Sequence, residues 1–523
     1  MGKFTELFQK KNKKNQAASD LDKVINNIID YEETDAMREM VDPGKDTDQG
    51  KAAEAGKTSV ADEASGTEKV SETDNMTETV RITSDGSFVY GVQELYHLRR
   101  SNEVVVTGRM RGTVKPGMKV YVTNFGLDEG ESVLTIVRGI EMEENAGDGQ
   151  GSSQMALKLA AQQESGEPVE IRVGSVIHTR DISAKAVHDA YIAAIGDVYV
   201  VRRKLDLTED ELDAMSITDC AEAWRLFSWF HSQQNVEKSE QEQLANRQKV
   251  EKLVEALCQK ILEADDIYTV YNRATGEPHL FSQVYKQKDG SYMCSHPDIL
   301  LISKAYADPY KTMYPAEKFE IRRIENGGDR NGIRDFLADA FYLDGACGAR
   351  ICTEQTSVDA GKLVPKPDYG DTPRVEVPVT NPDLMRWLLL IGQMGRPETP
   401  DAELVYRLYN RFMIKELTKA VFVVPMKTEG EIPQTDENGQ TVLKEGAQMI
   451  FPTFSGKDGR NVIRMFTDWR RLREEYDEEW GGLVQPIEGM IERFDCAVNL
   501  ADHPAAGCYV SREMYAEMKK IKR

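Results

Sequence analysis

Gly56-Lys57-Thr58 carries the residue types that close a phosphate-binding loop. Such a loop needs Gly-x-x-x-x-Gly-Lys-Ser/Thr, because that spacing wraps backbone N–H groups around phosphates just before a helix begins. Here Gly50 stands one position too early, with five residues before Gly56, and the required glycine is Lys51. The context is also wrong. A working loop follows a buried strand, yet Val41 to Val80 contains no Leu, Ile, Phe, Tyr or Trp. Such a stretch buries too little surface to offset its ordering entropy, so 41–84 is expected to be a disordered acidic linker without a nucleotide.

Cys294, His296, Cys347 and Cys352 are the nearest approach to a metal set. Zinc prefers ligand pairs spaced two to four residues apart, and this set lacks two such pairs. No His sits at helical spacing from a second His with a Glu between, and no Gly-x-Ser-x-Gly elbow occurs. Thr467 and Asp468 read as an N-cap before Trp469, and Asn499 and Asp502 read as turn formers. The pairs Glu143-Glu144 and Glu474-Glu475 lie in charged runs and read as solvated. Trp224, Trp229, Trp387, Trp469 and Trp480 are expected in cores. The expectation is a chain with no catalytic residues, cofactor or metal.

The seven cysteines are odd in number, scattered and free of Cys-x-x-Cys pairs, which suits reduced thiols in a cytoplasm. The start has no signal-peptide core, and no apolar run approaches the ~20 residues that span a bilayer. A net charge of −22 argues against nonspecific DNA binding, since phosphates would be repelled. At about 150 residues per domain, the length suggests three or four domains.

Several elements could position whatever site exists. Leu21, Val24, Ile25, Ile28 and Ile29 mark an amphipathic helical arm over 1–40, which either packs on the body of the chain or binds a partner. From 85 to 182, short β-rich runs separated by Gly108, Gly112 and Pro116-Gly117 predict a small closed barrel. Arg109, Arg111, Lys115 and Lys119 surround what reads as its first hairpin, a candidate contact for RNA or a partner. Capping boxes at Thr208/Glu211 and Ser239/Glu242 then open helices, and strands return at "IYTVYN", "DILLIS" and "FEIRRI". The order helices, strands, helix recurs after a Pro/Gly/Asp-rich stretch at 353–379 taken as a linker. The fold class is therefore multidomain α+β: an all-β barrel followed by two related α+β modules, at 185–352 and 380–523.

Two resemblances add to this. "VVVTGRMRGTVKPGMKV" (104–120), "VRGIEM" (137–142), "AGD" (146–148) and "VGSVI" (173–177) resemble the second domain of elongation factor Tu and related translation GTPases. That resemblance implies a barrel, and no GTPase domain precedes it in the chain. "NPDL" (381–384), "AVFVVPM" (420–426), "MFTDWRRL" (465–472) and "AVNLADHPAAGCYVSREM" (497–514) resemble the N-terminal domain of the bacterial SseB family. That resemblance implies a binding or regulatory module without established catalytic chemistry. The expectation is a bacterial, cytoplasmic, non-enzymatic protein that recognises a protein partner. The alternative is a translation-associated factor whose barrel touches RNA or the ribosome.

Overall fold

The structure, a computed structural model, describes residues 87–521 apart from 99–101, 126–131, 143–152, 164, 234–238, 287–290, 354–355, 374–375, 430–433, 436–440, 443–447, 457–458 and 501–502. The loop at Lys57, the 1–40 arm, the 41–84 segment, Glu143, Glu144 and Asp502 lie outside the described residues. The chain divides into two compact units, one ending at Asp197 and one spanning 198–523. No helix among the described residues is long and apolar enough to cross a membrane.

The first unit contains the expected closed barrel, with strand order β1-β2-β5-β4-β3-β6. The strands are β1 (Phe88–Leu98), β2 (Glu103–Gly112), β3 (Lys119–Thr123), β4 (Val133–Met142), β5 (Ser153–Ala160) and β6 (Val176–His178). Alternate side chains fill the interior: Phe88, Tyr90, Val104, Val106, Val120, Val122, Leu157 and Leu159 are buried. Tyr90 lies in the core and donates to the carbonyls of Val106 and Met155, at 3.1 and 2.6 Å. Two glycines matter for closure. Gly112 has φ +97°, and at Gly108 a Cβ would run into the Gly91 backbone.

One expectation fails here. β2 and β3 are not a hairpin: β2 pairs with β1 and β5, and β3 pairs with β4 and β6. Residues 113–118 instead cross one end of the barrel, bonding from Thr113 N to Ser87 O and from Gly117 N to Val137 O. Helix α1 (Ala184–Ile195) also groups with the barrel, not with the module that follows. Small residues bring it close: a Cβ on Gly91 would sit 2.7 Å from Ala190 O.

The second unit opens with α2 (Glu209–Ala214), α3 (Ile217–Gln233) and α4 (Glu240–Glu263). Both expected capping boxes are formed, at Thr208/Glu211 and Ser239/Glu242. The elements β7 (Asp266–Asn272), β8 (Val284–Lys286), β9 (Tyr292–Cys294), β10 (Asp298–Ile302), α5 (Lys304–Met313), β11 (Phe319–Glu325), α6 (Gly332–Tyr342), β12 (Gly348–Ile351), β13 (Ser357–Asp359) and α7 (Ala360–Leu363) follow. The sheet runs β11-β7-β10-β12-β13. The supposed linker at 353–379 therefore needs correction: its first part supplies edge strand β13 and helix α7. Val358, with 2% exposure, anchors that edge in the core, a signal the surrounding polar composition hides.

The last elements are α8 (Pro382–Met394), α9 (Pro400–Leu417), β14 (Val421–Glu429), β15 (Gln434–Thr435), β16 (Thr441–Val442), β17 (Gln448–Ile450), β18 (Thr453–Ser455), β19 (Asn461–Met465), α10 (Trp469–Glu475), β20 (Gly481–Pro486), α11 (Glu488–Ile491), β21 (Asp495–Val498), β22 (Cys508–Val510) and α12 (Arg512–Ile521). β14 joins β20 on one side and meets Phe466 through the Val423 bridge on the other. β19, β21 and β22 continue from there. The strands form two sheets, β17-β14-β20 and β18-β19-β21-β22, joined by that single bridge, and read across it the run β20-β14-β19-β21-β22 follows the same order as β11-β7-β10-β12-β13. In both, one pair is parallel, β10 with β12 and β19 with β21, and the flanking pairs are antiparallel.

Candidate functional site

Two places in the 198–523 unit gather side chains of functional character. The first is a groove of about 550 Å³ beside α3, α4, β13 and α7. Its walls include Trp224, Phe227 and His231 from α3, Arg247 and Val250 from α4, and Val358 from β13. The apolar stripe of α4 turns inward through Leu253, Leu257 and Ile261, which leaves Val250 half-buried at the groove. His231 lies edge-on to Phe227, with ring centroids 4.1 Å apart. A second hollow of about 680 Å³ adjoins it and shares Glu251, Val254 and Lys362. A salt bridge of 3.4 Å joins Lys362 to Glu251 between them.

The same two helices carry exposed apolar groups: Trp229 is 42% exposed, Phe230 39% and Leu244 57%. This corrects the expectation that all five tryptophans are core. Trp229 is exposed, and Trp224, Trp387, Trp469 and Trp480 are half-buried. Helical spacing alone does not distinguish a core face from a groove wall.

The second place is a buried ion cluster where the two α+β modules meet. α10 begins after Asp468, whose carboxylate caps the helix by accepting from Arg471 N at 2.9 Å, as expected. The Arg471 guanidinium, only 5% exposed, then reaches Asp468, Asp344 and Glu277 at 2.6, 2.6 and 2.5 Å. Arg470 lies beside it, 2.8 Å from Glu277 and 2.9 Å from Asp344. Asp339 and Glu474 flank Arg470 at 3.5 and 3.8 Å. Glu277, Asp339 and Asp344 belong to the first module, and the arginines to the second. Neighbouring hydrogen bonds cross the same boundary: Arg386 donates to Gly345 O at 2.6 Å, and Gln393 accepts from Leu280 N at 3.2 Å.

Burial raises Glu277 to about 7, helped by the nearby Asp344 charge and opposed by the two arginines. Burial alone would also raise Asp468, but the Arg471 charge and hydrogen bonds outweigh it and hold that carboxyl below its usual range. Sequence reasoning missed this cluster, because "TDWRRLREE" has the charge alternation of a solvated helix. The only signal was the cap at Asp468, which fixes where the next turn points.

The other sequence candidates are spread apart. Arg109 and Arg111 lie on β2 and Lys119 on β3, and these strands stand three places apart in a six-stranded barrel, on opposite sides. Arg109 is paired with Asp197 at 2.8 Å. Lys115 sits on the crossing segment between β2 and β3. The four are thus distributed over two strands and the segment that joins them. Cys352 is buried behind Leu301, to whose carbonyl its N–H donates at 2.7 Å, and burial raises its thiol to about 11. Among the described residues no group of three or more His, Cys, Asp or Glu side chains is arranged to hold a metal ion. Thr467 and Asn499 bond each other: Thr467 N donates to Asn499 Oδ1 at 3.0 Å.

The fold is mixed α+β, with a closed six-stranded β-barrel followed by α+β structure. Residues 409–500, from within α9 through β21 to Leu500, match the family model described as SseB protein N-terminal domain. No curated protein matches the chain.

Proposed function

We propose that this chain is a non-catalytic, protein-binding regulatory protein of SseB type, built from two copies of one α+β unit, with the α3–α4 groove as the surface that holds its partner. The observation that carries this reading is the groove itself. Aromatic and aliphatic walls, a rim of Arg247, Glu251, Asp359 and Lys362, and exposed Trp229 and Phe230 together have the composition of a protein-recognition surface. Tryptophan and arginine are the residue types that most often dominate binding energy. The match over 409–500 is consistent with such a protein.

The test is purification of the full chain from cells that make it, with protein, RNA and metal quantified separately. The expected result is one protein partner near equimolar ratio, whose affinity falls about tenfold or more in Trp229→Ser. Both Trp229 and Phe230 are exposed, so their replacement leaves the fold intact. Equimolar RNA or ribosomal proteins, insensitive to Trp229, would transfer the function to the barrel and its translation-factor resemblance. A bound metal with no partner would point to an enzyme.

A further inference from the structure

The ion cluster between the modules is unbalanced. Two guanidiniums, Arg470 and Arg471, face five carboxyl groups: Glu277, Asp339, Asp344, Asp468 and Glu474. Asp344 and Asp468 have 2% exposure each, so water cannot screen the surplus at the centre. Glu277 is the pivot. Its Oε1 accepts from both arginines. Titratable and charged groups face it from several elements. α10 and its cap bring Arg470, Arg471, Glu474 and Asp468, and α6 with the residues after it brings Asp339 and Asp344. β7 brings Tyr271, whose ring lies 4.0 Å beneath the Arg322 guanidinium of β11. On the remaining side His503 covers Gly276, where an added Cβ would overlap the imidazole.

We propose that this cluster is a proton-operated latch between the two modules, closed when Glu277 carries a proton and loosened when that proton leaves. The geometry supports both states. With the proton on Oε2, Oε1 still accepts from Arg470 and Arg471, and the two guanidinium charges at the centre match two buried carboxylates, Asp344 and Asp468. Without the proton, two carboxylates from the same module, the buried Asp344 and the 15% exposed Glu277, compete for the same two Nη2 atoms. The proton belongs to the cluster as a whole, since the carboxyl groups are too close to titrate separately.

The sign follows from burial. Glu277 rises from an ordinary 4.5 to about 7 in the folded chain. Between those values the folded form binds more protons than the unfolded form, so the latch is tightest at mildly acidic pH and weakens as pH rises through neutrality. This is independent of what the α3–α4 groove binds.

Hydrogen exchange on the full chain tests the latch at pH 5.5 and pH 8, after correction for intrinsic exchange. Amides of 272–283, 340–347 and 382–394 are expected to lose about tenfold protection at the higher pH, while β10 and β12 hold theirs. Glu277→Gln keeps the shape and cannot ionise, so both pH values should give the protected pattern. Should that variant fold poorly, Glu474→Gln changes the half-exposed end of the cluster, and the midpoint of the loss should move to lower pH. Protection independent of pH in the unaltered chain, or an undiminished loss in Glu277→Gln, overturns the proposal. An unmoved midpoint in Glu474→Gln does the same.

Discussion

Arg471 shows how much a single side chain can carry. Its guanidinium is 5% exposed and touches three carboxylates across two modules. Forming such a cluster gains little net stability, because desolvation offsets the attraction, but removing one partner leaves charge stranded in the interior. Arg471→Leu is therefore expected to destabilise the 198–523 unit by about 3–5 kcal/mol in urea unfolding. A loss under about 1 kcal/mol would mean that water reaches Asp344 and Asp468, contrary to their burial. Acid acts on the same group through Asp468. Its carboxyl sits below its usual range when folded, so the stability it contributes is present at neutral pH and lost as pH falls through that lowered value. Glu277 has the opposite sign, and the two together place the strongest module contact in mildly acidic solution.

At the scale of elements, local rules were legible where they act alone. Both capping boxes were readable, because each is closed by residues three apart. Ser239 Oγ accepts from Glu242 N, and Ser239 N donates to the Glu242 carboxylate at 3.1 Å. Ser239→Ala should cost about 1 kcal/mol, seen as a lower midpoint for the tryptophan signal, and Ser239→Asp should restore most of it. Helix α5 was not legible, since Pro309 lies inside it and a proline ordinarily argues against a helix. Asn381 stands at the N-cap of α8, ahead of Pro382, yet its side chain makes no cap hydrogen bond. It donates instead to Val421 O and Thr467 O, at 2.8 and 2.6 Å, and ties α8 to β14 and to the turn before α10. The barrel was legible from its glycines and alternating valines, but its strand order was not. A run that looks like a hairpin spans the barrel end, and only the pairing of distant strands decides that. The site suffered from the same limit. Arg470, Arg471, Glu277 and Asp344 are scattered over nearly two hundred positions, and no local pattern marks their convergence.

At the scale of the whole molecule, the two α+β modules have matching strand orders but share one boundary of buried charge and hydrogen bonds. Two independent domains would present a polar, solvated surface to each other. Here Arg470, Arg471, Arg386 and Gln393 of the second module all end on atoms of the first. The modules should therefore unfold together. The sequence offers a direct readout, because all five tryptophans lie beyond residue 198: Trp224 and Trp229 in the first module, and Trp387, Trp469 and Trp480 in the second. One variant carries Trp224→Phe and Trp229→Phe, and reports only on the second module. Another carries Phe at 387, 469 and 480, and reports only on the first. Their stabilities differ, so each is followed beside circular dichroism of the same sample. In each variant the fluorescence and the dichroism of the 198–523 unit are expected to share one urea midpoint. Adding Arg471→Leu to either should separate the two curves, because the module that keeps its own core outlasts the one that leaned on the cluster. Separate midpoints before that change would show that the buried charges meet without coupling the modules, and the latch would then have nothing to release.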